Sequence, residues 1–177
     1  DTATVTITVL DVNEAPVLAD VAVSVNENSA AGSAVAALAA TDVDTADSHA
    51  YSIVSGNNNG AFIVDAATGA VTVLSDVLDF EAQPTYTVTV QALDDGTPAL
   101  TGTATLTVTV LDVNEAPTLA NTQREVPENS AAGTAAGAVI VGGDVDGSAW
   151  GTLSYALTDG SGVFTIDSIS GFLSLAA

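Results

Sequence analysis

The sequence repeats itself at a fixed spacing, and this repetition limits the possible fold more than any other feature. Residues Leu10–Pro16 read LDVNEAP and return unchanged at Leu111–Pro117, 101 positions later. The sequence ENSAAG at Glu27–Gly32 returns at Glu128–Gly133 with the same spacing. Repeated motifs in the same order indicate a tandem array of similar domains.

The repeat pattern predicts where the domains begin and end. The chain starts in a strand-like segment and is therefore expected to be a fragment of a longer array. The predicted division is residues 1–10 as the last strand of a preceding repeat, 11–16 as a linker, 17–111 as a complete repeat, 112–117 as a second linker and 118–177 as a truncated repeat.

Alternation of apolar residues with threonine predicts β-strands. Tyr86, Val88 and Val90 alternate with threonines, and residues 104–110 show the same pattern. Shorter strands are predicted near residues 22–25, 51–54, 61–64 and 70–74. Six or seven short strands in about 100 residues indicate an all-β sandwich. Residues 34–40 are ambiguous, because their alanine content favours a helix while their length and neighbours favour a strand.

The charge balance excludes several classes of function. The 177 residues contain 22 acidic residues and one basic residue, Arg124, which gives a net charge of −21. One arginine cannot displace counterions from nucleic acid or attract the chain to an anionic membrane. The absence of cysteine excludes disulfides and thiolate metal sites. No apolar segment approaches the roughly 20 residues that span a bilayer.

The acidic residues recur at the predicted strand ends and in the linkers. Loops collect acidic residues in any protein, so position alone has an ordinary explanation. Recurrence at the same offsets favours a site for a hard cation such as Ca²⁺, which binds oxygen ligands. Asp42–Asp44 begins like an EF-hand loop, but the glycine and glutamate of that loop are missing at its later positions. A cation site must therefore be assembled from distant segments.

Five motifs, taken together, resemble those of the cadherin repeat family. They are the PEN-like Asn26–Asn28 and Pro127–Asn129, the LDRE-like Leu78–Glu81, the DxNDNxP-like linkers Asp11–Pro16 and Asp112–Pro117, the DxD pairs Asp42–Asp44 and Asp144–Asp146, and the AxD-like Ala92–Asp94. The resemblance implies tandem seven-stranded Greek-key sandwiches of the cadherin/immunoglobulin-like type. The composition, rich in Ala, Thr and Val and without Lys, is similar to that of bacterial surface proteins with cadherin-like repeats.

The resemblance also implies two sets of calcium ligands, with 112–117 as a calcium-binding linker. The downstream set is Glu27, Asp79, Glu81, Asp112, Val113, Asn114, Glu115, Ala116, Asp144 and Asp146, with Val113 and Ala116 contributing backbone oxygens. The upstream set is Asp11, Asn13, Glu14, Ala15, Asp42, Asp44 and Asp94. Three positions depart from the family pattern: Phe80 replaces an arginine between two ligands, Glu115 replaces an aspartate, and Ala116 replaces an asparagine.

The function implied by the resemblance is a calcium-stiffened stalk that supports cell adhesion outside the cell or at its surface. The expected partners are calcium ions and another copy of the chain, a surface protein or a glycan. We expect no nucleic-acid binding and no membrane insertion. The main alternative is a carbohydrate-binding module that uses an exposed aromatic residue such as Trp150.

An enzyme is the least favoured reading of the sequence. Asp79 and Glu81 could be imagined as a glycosidase pair, but they also fill the LDRE-like motif. The Gly160–Gly162 segment lacks the strand–turn–helix context of a hydrolase nucleophile. His49 is expected to be a surface residue in a loop. Asp65 and Asp167 are expected to cap turns rather than bind metal.

Overall fold

The structure, a computed structural model, describes residues 1–158, 160 and 162–177 and consists of two units. Unit 1 is Asp1–Val113 and unit 2 is Asn114–Ala177. The described residues form β-strands and one short 3₁₀ turn at Asn58–Gly60, without an α-helix. No helix in this described part is long and apolar enough to cross a membrane.

Unit 1 is a sandwich of a four-stranded and a three-stranded sheet. Its strands are β1 Val17–Leu18, β2 Val21–Asn26, β3 Ala34–Ala37, β4 Ala40–Thr41, β5 His49–Ser55, β6 Phe62–Val64, β7 Ala70–Val73, β8 Thr85–Asp94 and β9 Thr101–Leu111. The sheet orders are β2-β9-β8-β5 and β3-β7-β6, and β1 pairs with β4. The seven strands of the two sheets confirm the predicted all-β sandwich. The ambiguous alanine segment, residues 34–40, forms β3 and the start of β4, so the strand interpretation is correct.

The core of unit 1 lies between the two sheets. Strand β8 buries every second side chain, beginning with Tyr86 and Val88, while its threonines face outward. Cross-strand pairing places Tyr86 opposite Val108 of β9, which is also buried. Phe62 of the second sheet packs edge-on against Tyr86, with ring centroids 5.2 Å apart and an interplanar angle of 82°. Threonine alternation thus directs one face of the sheet to the core and the other to solvent.

Two aspartates cap equivalent turns, as the sequence predicts. In the β6–β7 turn, Asp65 Oδ1 accepts hydrogen bonds from the Thr68 N–H and hydroxyl, both at 2.8 Å. These bonds lower the pKa of Asp65. Asp167 accepts the equivalent bonds from Ser170 at 2.7 Å, and its pKa is lowered for the same reason.

Unit 2 repeats several local features of unit 1. Its strands are β10 Thr118–Leu119, β11 Gly142–Gly143, β12 Phe164–Ile166 and β13 Leu173–Leu175. Strand β10 pairs with β11, and β12 pairs with β13. The Tyr155 hydroxyl accepts the Gly142 N–H at 3.0 Å, just as the Tyr51 hydroxyl accepts the Ala40 N–H at 3.0 Å. Residues 1–10 lie outside the strands with exposed side chains, and their assignment to a preceding repeat stays a prediction, as do the other proposed boundaries.

The strand directions separate the acidic segments of unit 1 into two groups. The lower end of unit 1 is defined by the ends of β2 and β9 and by the start of β8, because Asn26 pairs with Leu111 and Thr85 pairs with Thr109. The upper end is defined by the end of β8 and the start of β5, where Asp94 pairs with His49. At about 3.3 Å per residue, the ten residues of β8 separate the two ends by roughly 30 Å.

Candidate metal centres

Glu27 is the buried acid of the lower end. It follows β2 directly and is only 2% exposed. Its Oε1 accepts the Val113 N–H at 2.7 Å, and its Oε2 accepts the Phe80 N–H at 2.8 Å. The Glu27 N–H in turn donates to the Leu111 carbonyl at 3.0 Å. Backbone bonds from the two neighbouring segments therefore fix this carboxylate at the strand end.

Three carboxylates of unit 1 converge at the lower end. One oxygen each from Glu27, Glu81 and Asp112 lie within 4.8 Å of one another. Unit 1 contains no Lys or Arg, because the only such residue in the sequence is Arg124. Its only histidine, His49, begins β5 at the opposite end. The cluster therefore has no positively charged side chain of unit 1 beside it, and a bound cation would remove its mutual repulsion.

Asp79 lies in the same segment as Glu81 and has a structural role of its own. Its Oδ1 accepts the Ala82 N–H at 2.8 Å, and its carbonyl accepts the Gln83 N–H at 2.9 Å. This turn carries Glu81 and leads into β8. The ring of Phe80, between the two acids, packs against the core while its N–H holds Glu27. Phe80, which stands where the family pattern has an arginine, thus anchors the segment in the protein interior.

The upper end is organised around Asp94, which is 3% exposed. Its Oδ1 accepts the N–H groups of Gly96 at 3.2 Å and Leu100 at 2.8 Å. The Asn13 side-chain amide donates to the Pro98 carbonyl at 2.7 Å and lies 3.3 Å from Asp94 Oδ2. The linker residue Asn13 is therefore held against the loop that follows β8, as the proposed ligand set requires.

The DxD pair lies at the same end and is tied to the same linker. Asp44 Oδ2 accepts the Glu14 N–H at 2.9 Å, and Asp42 Oδ1 accepts the Asp44 N–H at 3.0 Å. Loss of hydration and then the neighbouring carboxylates, Asp44 foremost, raise the pKa of Glu14. Asp11 also raises this pKa and lines a polar cleft with Asn13 and Asp44. The donor set is entirely oxygen, which suits a hard cation.

Unit 2 reproduces this arrangement with its own residues. Asp146 Oδ2 accepts the Glu115 N–H at 2.7 Å, and Asp144 Oδ1 accepts the Asp146 N–H at 3.1 Å. Asp146 is 8% exposed, and within the described part of the chain its Oδ1 has no hydrogen-bond partner. A buried carboxylate oxygen without a donor is costly unless a cation binds it. Asn114 lines a cleft beside Asp144 and the exposed Trp150.

The remaining residues of the predicted ligand set have no side-chain oxygen, so only their backbone oxygens are available to a cation. Ala15 and Ala116 are exposed linker residues, and Val113 is half-buried. The Val113 N–H donates to Glu27, and this hydrogen bond fixes the orientation of the peptide group between Asp112 and Val113. The structure thus places Glu27, Glu81 and Asp112 together at the lower end and gathers Asn13, Glu14, Asp42, Asp44 and Asp94 at the upper end. Glu115, Asp144 and Asp146 are linked within unit 2.

The structure corrects the expectation for His49 and adds residues that the sequence analysis missed. His49 is the first residue of β5 and not a loop residue. Its side chain is 15% exposed, with Nε2 3.4 Å from Asp42 Oδ2. Ser48 donates two hydrogen bonds to Asp95, which no local pattern indicates because the two residues are 47 positions apart. Ser161, considered as a nucleophile, lies outside the described residues.

The family comparison agrees with this architecture. The cadherin domain model matches residues 21–111. This chain belongs to the cadherin family. The domains of this family are structural adhesion modules without enzymatic activity, and this confirms the expectation that the chain is not an enzyme.

Similar proteins cover more of the chain than the family model does. The chain is 44% identical over 140 residues to protocadherin Fat 4 of Mus musculus, a match that covers 76% of this chain and 3% of the relative. It is 34% identical over 179 residues to protocadherin Fat 1 of Homo sapiens, covering 96% of this chain and 4% of the relative. The solved structure of EC22–24 of mouse cadherin-23 matches with a TM-score of 0.63 and 29% identity, covering 91% of this chain and 53% of that one. The chain thus spans only a few per cent of these curated relatives, and its likeness in composition to bacterial surface proteins stays an expectation.

Proposed function

We propose that this chain is an extracellular adhesion module whose repeats are joined by bound Ca²⁺. The observation that carries the proposal is the cluster at the lower end of unit 1. There one oxygen each from Glu27, Glu81 and Asp112 lie within 4.8 Å of one another in a unit without Lys or Arg. Coordination by oxygen ligands is the chemistry that Ca²⁺ prefers.

The linker supplies the continuity that the downstream site needs. Asp112 and Asn114 are separated by one residue, and the Glu115 N–H already holds Asp146. In the proposal, Asp144 and Asp146 are cation ligands as well, and the Oδ1 of Asp146, which has no hydrogen-bond partner among the described residues, binds an ion. The carbonyl oxygens of Val113 and Ala116 complete the set, and Asp79 joins it with its second oxygen.

Cation binding then has a mechanical consequence. Without ions, the clustered carboxylates repel one another and the linker is free to flex. With ions bound, the charge is neutralised and the ligands from successive segments are held by one centre. Extracellular Ca²⁺ modules bind with dissociation constants of about 10⁻⁴ to 10⁻³ M, which matches an extracellular or cell-surface location.

The proposed partner, apart from Ca²⁺, is another copy of the chain or a related surface protein. One solved relative, protocadherin gammaB7 EC3–6, is described as a cis-dimer, which supports self-association as the first arrangement to examine. The family match favours this adhesion reading over the carbohydrate-binding alternative. Trp150 is 57% exposed, but its cleft is lined by proposed cation-site residues, including Asp144.

Two measurements test the proposal: thermal melting of the chain and calorimetric Ca²⁺ titration of two variants. Melting in millimolar Ca²⁺, in Mg²⁺ and in EDTA should show stabilisation by Ca²⁺, because a ligand that binds only the folded state stabilises it. Glu81→Ala should weaken the strongest calorimetric Ca²⁺ binding, whereas Asp94→Ala should affect only the upper end. A melting temperature that is the same in Ca²⁺ and EDTA would refute the calcium role.

Small-angle scattering tests the mechanical part separately. The particle should be longer and stiffer in Ca²⁺ than in EDTA. If Ca²⁺ binds but the two scattering profiles coincide, the ions do not stiffen the linker, and the stalk function is wrong although the binding sites are real.

A further inference from the structure

Two side chains outside the predicted ligand set join the two loops that carry the ligands of the upper end. The Ser48 N–H donates to Asp95 Oδ1 at 2.9 Å, and the Ser48 hydroxyl donates to Asp95 Oδ2 at 2.7 Å. We call this pair the Ser48–Asp95 clasp. Both oxygens of one carboxylate are therefore used by a single residue, and these bonds lower the pKa of Asp95.

The clasp lies where the sheet ends. His49 and Asp94 form the last cross-strand pair of β5 and β8. Ser48 precedes that pair on one strand and Asp95 follows it on the other. At this next position the Ser48 N–H donates to a carboxylate oxygen of Asp95 instead of to a backbone carbonyl. The clasp thereby extends the connection between the two strands by one position, into the loops.

Each side of the clasp is joined to proposed ligands by short stretches of ordered backbone. On one side, the Asp47 N–H donates to the Asp44 carbonyl at 2.9 Å, and Ser48 follows directly. On the other side, Asp95 adjoins Asp94, whose Oδ1 is held by the loop behind it. The separation between the Asp42–Asp44 segment and Asp94 is therefore set partly through Ser48 and Asp95.

The electrostatics of this end explain why such a connection is needed. Asp42 and Asp94 have almost fully buried side chains, and unit 1 has no Lys or Arg to balance them. The pKa of the neighbouring Asp47 is raised by loss of hydration, then by the charge of Asp95 and then by that of Asp44. Carboxylates of the two loops therefore repel one another. Repulsion tends to separate the two loops before a cation binds, and two short hydrogen bonds oppose that movement.

We propose that Ser48 and Asp95 are positioning residues of the upper cation site, which hold the Asp42–Asp44 segment and Asp94 at the separation that Ca²⁺ requires. This inference rests on the proposed function. In this proposal the Ser48 hydroxyl and the Asp95 carboxylate are not ligands, because they are engaged with each other. The clasp raises affinity by reducing the rearrangement needed on binding.

The only histidine of the chain provides the readout. His49 Nε2 lies 3.4 Å from Asp42 Oδ2, so its imidazole NMR signals should shift when a cation binds at the upper end. Titration of the full chain with Ca²⁺ at fixed pH then gives the binding midpoint of that end alone. In the native chain a saturable shift is expected with Ca²⁺ and a weaker response with Mg²⁺.

Three substitutions distinguish positioning from charge. Ser48→Ala keeps every charge and removes the hydroxyl bond, so the midpoint should rise by about threefold to tenfold, the factor that corresponds to one hydrogen bond. Ser48→Thr keeps the hydroxyl and should restore the native midpoint. Adding Ser48→Ala to Asp95→Ala should have little further effect, because the bond is already lost in the single variant.

The matched control breaks the same kind of bond in unit 2. Ser170→Ala removes a hydroxyl donor to Asp167 in the turn between β12 and β13. It should leave the His49 midpoint unchanged while it lowers the stability of unit 2. A native midpoint in Ser48→Ala, or an equal change in Ser170→Ala, would overturn the positioning role while leaving Ca²⁺ binding intact. If the His49 signals of the native chain do not respond to Ca²⁺ at all, the cation site of the upper end is itself wrong.

Discussion

Replacing Asp112 by Asn tests whether the acids of the lower end repel one another when no cation is bound. Asn is nearly isosteric and removes one charge from the cluster. Two unit charges about 4 to 5 Å apart repel by about 1 kcal/mol at the dielectric constant of water and by about 3 to 4 kcal/mol at an effective value near 20. Asp112 is half-buried and lies within 4.8 Å of both Glu27 and Glu81. The two repulsions together are therefore worth about 2 kcal/mol at the dielectric constant of water and about 7 kcal/mol at an effective value near 20. Because Asp112 is only half-buried, we use the lower part of this range, about 2 to 4 kcal/mol.

The substitution should change two measured quantities in opposite directions. In EDTA, the free energy of unfolding of unit 1 should rise by about 2 to 4 kcal/mol, and the gain should shrink at high salt because salt screens the charges. About 10 mM Ca²⁺ is roughly 10 to 100 times the expected dissociation constant, which stabilises the native chain by about 1.4 to 2.7 kcal/mol per site. In the variant this increment should largely disappear.

Urea denaturation followed by circular dichroism, with and without Ca²⁺, measures both quantities. For a domain of this size, the native Ca²⁺ increment corresponds to about 6 to 20 °C in melting temperature. Asp76→Asn is the matched control, because it removes the same charge from an exposed position of unit 1 outside the cluster. If Asp112→Asn is less stable than the native chain in EDTA, or keeps the full Ca²⁺ increment, the reasoning from repulsion is wrong.

Three further predictions concern unit 1 without its cations. Phe62→Ala should cost about 3 to 5 kcal/mol in urea denaturation, because the ring is 1% exposed in the core, and a cost below about 1 kcal/mol would contradict this packing. Asp65→Asn should destabilise the chain at neutral pH, because the pKa of Asp65 is lowered in the folded state. The extra stability of the native chain over the variant should be present above the ordinary pKa of an aspartate and should vanish as the pH falls through the lowered pKa. Denaturation curves that differ equally at every pH would contradict this prediction. Gly69→Ala should lower the melting temperature more than Gly60→Ala, because both have positive φ but only at Gly69 would a Cβ overlap the Leu38 carbonyl oxygen.

The sequence predicted most of the fold because its patterns are local and repeated. Alternation of apolar residues with threonine located β8 and β9 to within a few residues. The alanine segment was ambiguous for a physical reason, since alanine favours helices intrinsically while this segment is used as strands. Pairing with β7 satisfies the backbone of Ala34–Ala37, and that pairing is a tertiary contact that helix propensity does not include.

The sequence also predicted only part of the candidate sites. The repeated LDVNEAP and DVD motifs identified most of the proposed ligands, because such residues recur at fixed offsets. The Ser48–Asp95 clasp and the contact of His49 with Asp42 were not identified. They join segments that become neighbours only when β5 pairs with β8. No periodicity along the chain contains that information.

The sequence alone determined that this chain is a tandem all-β protein of strongly negative charge with oxygen-rich linkers, because repetition, alternation and composition are properties of the chain itself. The tertiary structure decided which acids meet. Glu27, Glu81 and Asp112 come together at one end because β2 and β9 end there and β8 begins there, while Asp94, only thirteen positions after Glu81, lies at the opposite end. An extended strand moves the chain by about 3.3 Å per residue, so ten residues of β8 are enough to separate two acids that are close in sequence.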